Sequence, residues 1–379
     1  MMRKKPKIIF LVGSDLIAHR EMGPSIERAI ELGFEPVIYY PEHLPLSNPN
    51  ASHQAFKDYA YVERLILNET VYPFLEANPS TDAPFLTPKQ LCKKYGLRKP
   101  IAVRNINDPA FFENIPGFNE VIGTISLRCT QILKPDITAY LKQKGRFLIN
   151  LHSGLLPEFR GLYATAWAIY ETLTSPEKNH EFGCTLHHID PSTAVKNDSS
   201  TRYAGIDTGN IIDIKSRNVD ASQSVYGTNI ILSSMGAKAV IDTLDSIANG
   251  NTLRGYPQDH SKGRYLPLAS SQELEQWKRA GVVMFERNEV ARILVETFSV
   301  PGTKHAEDLE HLIYEALNSR LAPESYMSRP KPSNERTEDS LTAASRTFMQ
   351  AVIANNNRDG RKVEKRKKIG SLKLGNLTA

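Results

Sequence analysis

The sequence predicts an α/β fold, in which a mostly parallel, twisted sheet is flanked by helices and followed by a largely helical C-terminal extension. The first observation is a strand pattern over residues 7–12, a helix pattern over 24–32 and a strand pattern over 35–40. This order implies parallel strands joined by right-handed crossovers. The second is the apolar run Phe147-Leu148-Ile149, typical of a strand buried on both faces. The third is the helical periodicity that replaces strand patterns after residue 250.

Predicted helices in the first 250 residues are best defined where they begin. Thr87 and Pro88 are a good N-cap and N1 pair, with Gly96 closing the helix, and Asp108 precedes Pro109 in the same way. The predicted helices cover residues 24–32, 56–75, 88–95, 132–143, 163–173 and 225–247, with a short one after Pro109. The predicted strands cover residues 7–12, 35–40, 101–103, 120–126, 147–152, 183–190 and 211–214.

The chain is predicted to have three parts. Residues 1–250 form the α/β domain, and residues 251–327 form a helical extension with helices near 274–278, 290–298 and 309–321. Residues 328–379 form a linker rich in Pro and Ser and then a tail, with one further helix at 342–354. Within the first part, the polar segment 191–204 is predicted to be a surface loop.

The composition is that of a globular protein of 379 residues, long enough to bury a substantial core. No apolar run approaches the roughly 20 residues that span a bilayer, and the run at 7–13 is too short for the apolar part of a signal peptide. Cys92, Cys129 and Cys184 are widely separated, so they form neither a metal-binding spacing nor an even set for disulfides. We therefore expect a cytoplasmic protein without a metal site or a membrane partner.

The formal net charge of +5 is concentrated near the C-terminus. Residues 358–373 contain eight Lys or Arg and two acidic side chains, a balance of +6 that leaves −1 for the rest of the chain. This stretch is predicted to be a mobile, solvated tail. Contact with a nucleic acid is the alternative, disfavoured because no aromatic side chain is interleaved for base stacking.

Two polar side chains follow the apolar run of the central strand. Strand side chains alternate between faces, so Asn150 and His152 point the same way. They stand at the carboxyl end of a buried strand, where open α/β sheets bind their ligands. A structural histidine and a turn-forming asparagine are the alternative interpretation. Gly13 follows the first strand, but neither the further glycines of a dinucleotide-binding loop nor the Gly-Lys of a phosphate-binding loop accompany it.

These two residues are part of a longer pattern. Asn150-x-His152 is followed by Leu155-Leu156-Pro157, by Arg160-Gly161 and, further on, by the turn Gly205-Ile206-Asp207-Thr208-Gly209. The pattern resembles the signature of the folate-dependent formyltransferases, which include methionyl-tRNA, glycinamide ribonucleotide and sugar N-formyltransferases. The resemblance covers roughly residues 7–250 and is strongest between 146 and 213. It implies a formyltransferase-like, Rossmann-type core and makes residues 1–250 the catalytic domain.

The resemblance implies a role for nine residues. Asn150, His152 and Asp207 would be catalytic, and Arg160 would meet an acidic part of the substrate. The formyl donor would be 10-formyltetrahydrofolate, and the residues implied in binding it are Ile132, Leu133, Leu155, Asp190 and Thr208. On the residues alone, Asp207 is a turn former between glycines, and Ile132 and Leu133 are packing residues. No role is assigned to His187 or His188.

The three implied catalytic residue types suit formyl transfer. An amine attacks the formyl carbon through a tetrahedral oxyanion, to which the Asn150 amide can donate a hydrogen bond. His152 can stabilise the oxyanion when protonated, or take a proton from the amine. Asp207 can orient the imidazole and favour its charged form, or relay protons through water.

The expected function is transfer of a formyl group from 10-formyltetrahydrofolate to a primary amine of a small molecule, such as a nucleotide-linked amino sugar. The alternatives are formylation of methionyl-tRNA, hydrolysis of the same folate, and a non-catalytic folate-binding module. Residues after 250 lack the regularly spaced strands of the small β-barrel of the tRNA enzyme.

Two departures from the family pattern concern the site. Ser153-Gly154 stands where Pro-Ser is common. The segment 191–204 lengthens the approach to Asp207 and is a candidate lid or substrate-specific contact. The sequence does not determine the oligomeric state.

Overall fold

The computed structural model describes residues 5–42, 49–80, 82–175, 181–190, 205–218 and 220–321. The segment 191–204, predicted to be a loop and a candidate lid, lies outside these residues. So do residues 322–327 of the helical extension, and the linker and basic tail at 328–379 with the helix predicted at 342–354.

A seven-stranded sheet forms the centre of the described residues. Its strands are β1 (Lys7–Val12), β2 (Glu35–Pro41), β3 (Ile101–Val103), β4 (Val121–Leu127), β5 (Phe147–His152), β7 (Phe182–His188) and β8 (Ile211–Arg217), in the spatial order β3-β2-β1-β4-β5-β7-β8. A separate pair is formed by β6 (Arg160–Gly161) and β9 (Tyr265–Leu266). The five strands from β3 to β5 are parallel, β7 runs antiparallel to β5, and β8 runs antiparallel to β7. The predicted mostly parallel sheet is confirmed.

Helices surround this sheet and dominate the described residues after 250. They are α1 (Leu16–Glu31), α2 (Gln54–Ala60), α3 (Tyr72–Ala77), α4 (Pro88–Tyr95), α5 (Pro109–Glu113), α6 (Pro135–Gln143), α7 (Ala164–Thr174), α8 (Val225–Ala248), α9 (Ser271–Ala280), α10 (Arg287–Phe298) and α11 (Lys304–Arg320). Two π-helical turns, Tyr61–Leu65 and Leu67–Val71, lie between α2 and α3. None of the helices in the described ranges has both the length and the apolar character needed to cross a bilayer.

The best-defined predicted helix is confirmed at both ends. The side chain of Thr87 accepts a hydrogen bond from the Gln90 backbone N–H, and the Gln90 side chain accepts one from the Thr87 N–H. Gly96 ends α4 in the left-handed conformation, with φ 64°. Asp108 likewise caps α5. Because caps act within a single turn, the sequence alone locates these helices.

The first helix begins earlier than the sequence predicts. We expected a helix over 24–32, whereas α1 starts at Leu16 and carries Pro24 in its interior. The side chain of Asp15 caps the new start by accepting from the Ala18 N–H at 2.9 Å. Packing explains the tolerance of Pro24, since α1 buries Leu16, Ala18 and most of its other residues.

The helix predicted over 132–143 begins only at Pro135. The preceding residues stay in a loop because the buried side chain of Gln131 ties it to two other loops. Its Oε1 accepts from the Ile106 N–H at 3.1 Å, and its Nε2 donates to the carbonyls of Glu42 and Arg104 at 2.9 Å each. These long-range bonds leave Ile132 and Leu133 outside the helix.

The core consists of three clusters. Strand alternation divides the sheet residues between the first two, with Ile8 and Phe10 on one face and Ile9 and Leu11 on the other. A third cluster joins α2, α3, α7 and α8 to the helices after residue 250, and includes the fully buried Trp277, which meets Trp167 edge-on with ring centroids 4.9 Å apart. The domain boundary at residue 250 stays a prediction.

Candidate active site

A cleft of about 440 Å³ opens at the carboxyl ends of β4 and β5. Its walls come from the ends of β5 and β7, the segment after β4, the turn at 205–209 and the start of α7. This is the edge at which parallel α/β sheets bind ligands. The site predicted from the central strand therefore coincides with a real concavity.

Asn150 and His152 both line the cleft, as strand alternation predicts. Between its two neighbouring strands, Asn150 pairs with Ser126 of β4 on one side and His187 of β7 on the other. Asn150 is partly buried, and His152 is buried. The backbone of both residues is thus held inside the sheet while their side chains face the cleft.

The ring of His152 is held on both sides. Its Nε2 lies 2.6 Å from the carbonyl oxygen of Phe159, which can only accept, so Nε2 carries a proton and donates it. Its Nδ1 lies 3.5 Å from Oδ2 of Asp207. Gly154 permits this arrangement, because a Cβ there would lie 2.8 Å from His152 Nε2 and 2.9 Å from the Phe159 oxygen. A side chain at position 154 would displace the imidazole or the carbonyl.

Asp207 lies in a turn whose backbone is held by hydrogen bonds from a residue outside the turn. Its backbone lies in the left-handed region, with φ 56°, which Asp tolerates better than most residues. The side-chain amide of Gln258 donates to the backbone carbonyls of Asp207 and Gly209 at 2.9 and 2.7 Å. The Asp207 Oδ2 accepts from the Gly161 N–H at 3.1 Å. The structure therefore brings Asp207 together with Asn150 and His152.

The Asp207 carboxyl is kept in its charged form. Burial by itself raises the pKa of this carboxyl, but the neighbouring His152 and His187 and the hydrogen bond from Gly161 lower it by more. The net pKa lies below the usual range of an aspartate. Asp207 is therefore an anion at neutral pH and can accept hydrogen bonds but does not readily take up a proton.

His187 is a site residue to which the sequence assigned no role. Its Nε2 lies 3.1 Å from Nδ2 of Asn150 and 3.5 Å from Oδ1 of Asp207. Its Nδ1 lies 2.9 Å from the carbonyl oxygen of His188. Antiparallel pairing of β5 with β7 places His187 opposite Asn150. A prediction of this pairing from the sequence would have identified His187 as a site residue.

Four of the five residues implied in folate binding line the cleft, namely Ile132, Leu133, Asp190 and Thr208. Leu155 is not part of the wall, since it packs on the third core cluster and its Cδ2 lies against Gly183. Arg160 also lies outside the wall, in β6, where its backbone N–H donates to the Arg264 carbonyl at 3.3 Å. The structure therefore does not bring Leu155 and Arg160 to the cleft with the others.

Arg128 ties three parts of the cleft wall together. It donates from Nε to Asp15 at 2.9 Å, from Nη1 to the Ser153 hydroxyl at 3.2 Å, and from Nη2 to Glu63 in the first π-helical turn. Burial lowers the pKa of the guanidinium, but the surrounding carboxylates outweigh it and raise the pKa above its usual value. In the part of the chain that the structure describes, Arg128 is the one Lys or Arg that lines the cleft. No sequence signal connects these partners.

Comparison with known proteins connects these motifs to a family. Methionyl-tRNA formyltransferase of Flavobacterium psychrophilum is 27% identical over 172 residues, which are 45% of this chain and 47% of that protein. The protein of the same name from Caldicellulosiruptor saccharolyticus is 27% identical over 220 residues, 57% of this chain and 62% of that protein. The chain is related to the formyltransferases. The resemblance to the formyltransferases that the motifs predicted is thereby confirmed.

The chain spans about half to three-fifths of the length of these two curated relatives. No protein-family model matches it. Among solved structures, it aligns with the N-formyltransferase from Helicobacter canadensis in complex with folinic acid and dTDP-3-aminofucose. That alignment has a TM-score of 0.41 and 16% identity, and it covers 73% of this chain and 81% of that chain.

The part of the cleft around Asn150 combines its neutral amide with the imidazoles of His152 and His187 and the carboxylate of Asp207. The two amide hydrogens of Asn150 can stabilise negative charge that develops on an oxygen. The Asp207 carboxylate faces Nδ1 of His152 and can stabilise positive charge on that imidazole. Both ring nitrogens of His152 already have partners, so a substrate atom must replace the Phe159 carbonyl to receive its Nε2 proton. Within the described ranges, no group of three or more His, Cys, Asp or Glu side chains is placed to hold a metal ion.

Proposed function

We propose that the chain transfers the formyl group of 10-formyltetrahydrofolate to a primary amine of a small molecule. The observation that carries the proposal is the convergence of Asp207 on His152, at 3.5 Å, in the wall that also holds Asn150. These three residue types stand in the order and motifs of the formyltransferases, to which the chain is related. All three residues lie within the range that the sequence resemblance covers, roughly residues 7–250.

The proposed reaction uses each group once. The amine nitrogen attacks the formyl carbon and forms a C–N bond, while the formyl oxygen becomes an oxyanion that accepts from the Asn150 amide. A donor of this kind is typically worth about 3–4 kcal/mol of barrier. The bond from the carbon to N10 of the folate then breaks, and N10 takes the electron pair together with the proton that the attacking amine loses, while the Asp207 carboxylate holds the imidazole of His152 beside the reacting atoms. The products are a formamide and tetrahydrofolate.

The proposed folate site is the wall that carries Ile132 and Leu133. Ile132 is 52% exposed, unusual for an isoleucine, and thus offers an apolar face to a flat ring. Asp190 and Thr208 supply polar atoms on the same wall. Leu155 and Arg160 are not needed for this arrangement, because their side chains lie outside the wall.

The acceptor is proposed to be a small amine. Arg128 is the one Lys or Arg of the described cleft wall, and it is already bonded to Asp15, Glu63 and Ser153. The wall therefore supplies no spare cation for the phosphates of a nucleotide-linked amino sugar in the described ranges. Such sugars remain one class to test among the amines.

Methionyl-tRNA formylation is the second candidate, because the sequence relatives carry that name. Against it, the described residues after 250 form three helices and one two-residue strand rather than a barrel. The basic stretch at 358–373, which is the candidate RNA contact, lies outside the described residues. A charged methionyl-tRNA therefore belongs in the same assay as the small amines.

The test is release of tetrahydrofolate from 10-formyltetrahydrofolate, measured with no acceptor, with pooled primary amines, with nucleotide amino sugars and with methionyl-tRNA. Release that requires one of the small amines supports the proposal. Equal release without an acceptor identifies a hydrolase, and release only with the tRNA identifies the second candidate. No release under any condition contradicts formyl transfer.

Asn150→Ala ties the activity to the site. We expect its rate to fall about 10²- to 10³-fold, as for other oxyanion donors. Asn251→Ala is the matched control, since Asn251 is exposed and lies after α8, away from the cleft. Thermal melting of both variants shows whether the fold is intact. An unchanged rate in Asn150→Ala contradicts the proposed role of Asn150.

A further inference from the structure

We infer that His187 is a positioning residue that orients the side-chain amide of Asn150. In this arrangement His187 accepts a hydrogen bond from one of the two N–H groups of the Asn150 amide. The other N–H remains available to donate to the formyl oxygen. The inference rests on the proposed function for its catalytic meaning, but the orientation itself is a property of the free protein. It concerns three side chains, those of His187, Asn150 and Asp207.

The tautomer of His187 follows from its backbone partner. Nδ1 lies 2.9 Å from the His188 carbonyl oxygen, and a carbonyl can only accept. Nδ1 therefore carries a hydrogen. In a neutral imidazole the other nitrogen, Nε2, then has a free lone pair and can only accept.

The tautomer in turn determines which end of the Asn150 amide faces His187. An acceptor at 3.1 Å requires a donor, so the NH₂ group and not the amide oxygen points at Nε2. The antiparallel register places the two residues directly opposite each other, and His187 is only 3% exposed, so its ring is held against the Asn150 amide. One N–H is used, and the second remains for an oxyanion.

A second proton on His187 would reverse this arrangement. Nε2–H can then only donate, and Oδ1 of Asp207 lies 3.5 Å away to accept it. Asn150 would lose its acceptor and the amide would be free to turn. The titratable groups that surround His187 are Asp207 from the turn, His152 from β5 and His188 on its own strand. The orientation of the Asn150 amide therefore depends on the lone pair of His187 Nε2.

Two variants separate positioning from a structural role. His187→Gln places an uncharged acceptor oxygen near the position of Nε2, whereas His187→Leu removes the acceptor. We expect His187→Leu to lower kcat about ten- to hundredfold with little change in KM for the folate. His187→Gln should keep most of kcat, because its side-chain oxygen can accept the same hydrogen bond. His311→Gln, at an exposed position on α11, is the matched control.

A second measurement does not need turnover. The two side-chain amide ¹H–¹⁵N signals of Asn150, assigned by their loss in Asn150→Ala, should move from their wild-type positions in His187→Leu and much less in His187→Gln. Signals that move equally in both variants, or in neither, overturn the inference. If these signals behave as expected while no acceptor stimulates tetrahydrofolate release, only the proposed function fails.

Equal kcat in His187→Leu and wild type also overturns the positioning role, provided that formyl transfer is established. A loss of kcat that His187→Gln does not rescue indicates a structural effect and counts against the inference.

Discussion

Folding should depend on pH through His19, a histidine of α1 that is buried beside the cleft-forming strands. The residue is 8% exposed, its Nδ1 contacts the Tyr72 hydroxyl, and its ring packs against Tyr40 with centroids 5.5 Å apart. Burial lowers the pKa of His19 from 6.5 to about 4, although Asp15 and the Gly13 backbone act in the opposite direction. The folded protein therefore holds this ring neutral.

The sign and the size of the effect follow from that shift. Above pH 6.5 the ring is neutral in both states, and the folded state has no disadvantage. As the pH falls from 6.5 to about 4, the unfolded chain takes up a proton that the folded protein does not, so the free energy of unfolding decreases. The full shift corresponds to about 3 kcal/mol, of which about 2 kcal/mol is lost by pH 5.

Urea unfolding near pH 7.5 and near pH 5 measures this loss. Other groups also titrate in this window, so the informative quantity is the difference between wild type and His19→Gln, which removes the titrating ring. We expect the wild-type protein to lose about 2 kcal/mol more than His19→Gln between the two pH values. The exposed His311 supplies the control, because His311→Gln should behave as wild type. An equal loss in His19→Gln and wild type refutes the reasoning.

Two further predictions concern the cleft wall. Gly154→Ala should lower the rate of formyl transfer more than tenfold, because the new Cβ would lie 2.8 Å from His152 Nε2. Steady-state kinetics measure this effect. An unchanged kcat would show that the absence of a side chain at position 154 does not hold the His152 ring in place. Arg128→Met should lower the free energy of unfolding by about 3 kcal/mol, because it leaves Asp15 and Glu63 partly buried without their cation. Urea unfolding at neutral pH measures the second effect, and a loss below 1 kcal/mol contradicts the ion-pair argument.

Much of the fold could be predicted because its signals act over a few residues. Strand alternation placed Asn150 and His152 on one face, and the caps at Thr87 and Gly96 located α4. Both effects depend on neighbours within one strand or one helical turn. The family was also predictable, since its motifs are short and contiguous.

Predictions were wrong where tertiary contacts compete with local preference. Pro24 indicated the start of a helix, but capping by Asp15 and burial of the first turns extend α1 back to Leu16. The side chain of Gln131 binds three backbone groups of distant loops and keeps the next residues out of α6. Propensity is a weak signal against several long-range bonds.

The sequence by itself determined which strand carries the site and which two of its side chains face the same way. The tertiary structure alone decided that β7 runs antiparallel to β5, which places His187 beside Asn150 across 37 residues of chain. It also decided that Arg128 meets Asp15, 113 residues away. The physical reason is that alternation and capping are local, whereas strand direction and buried charge pairs depend on how distant segments pack.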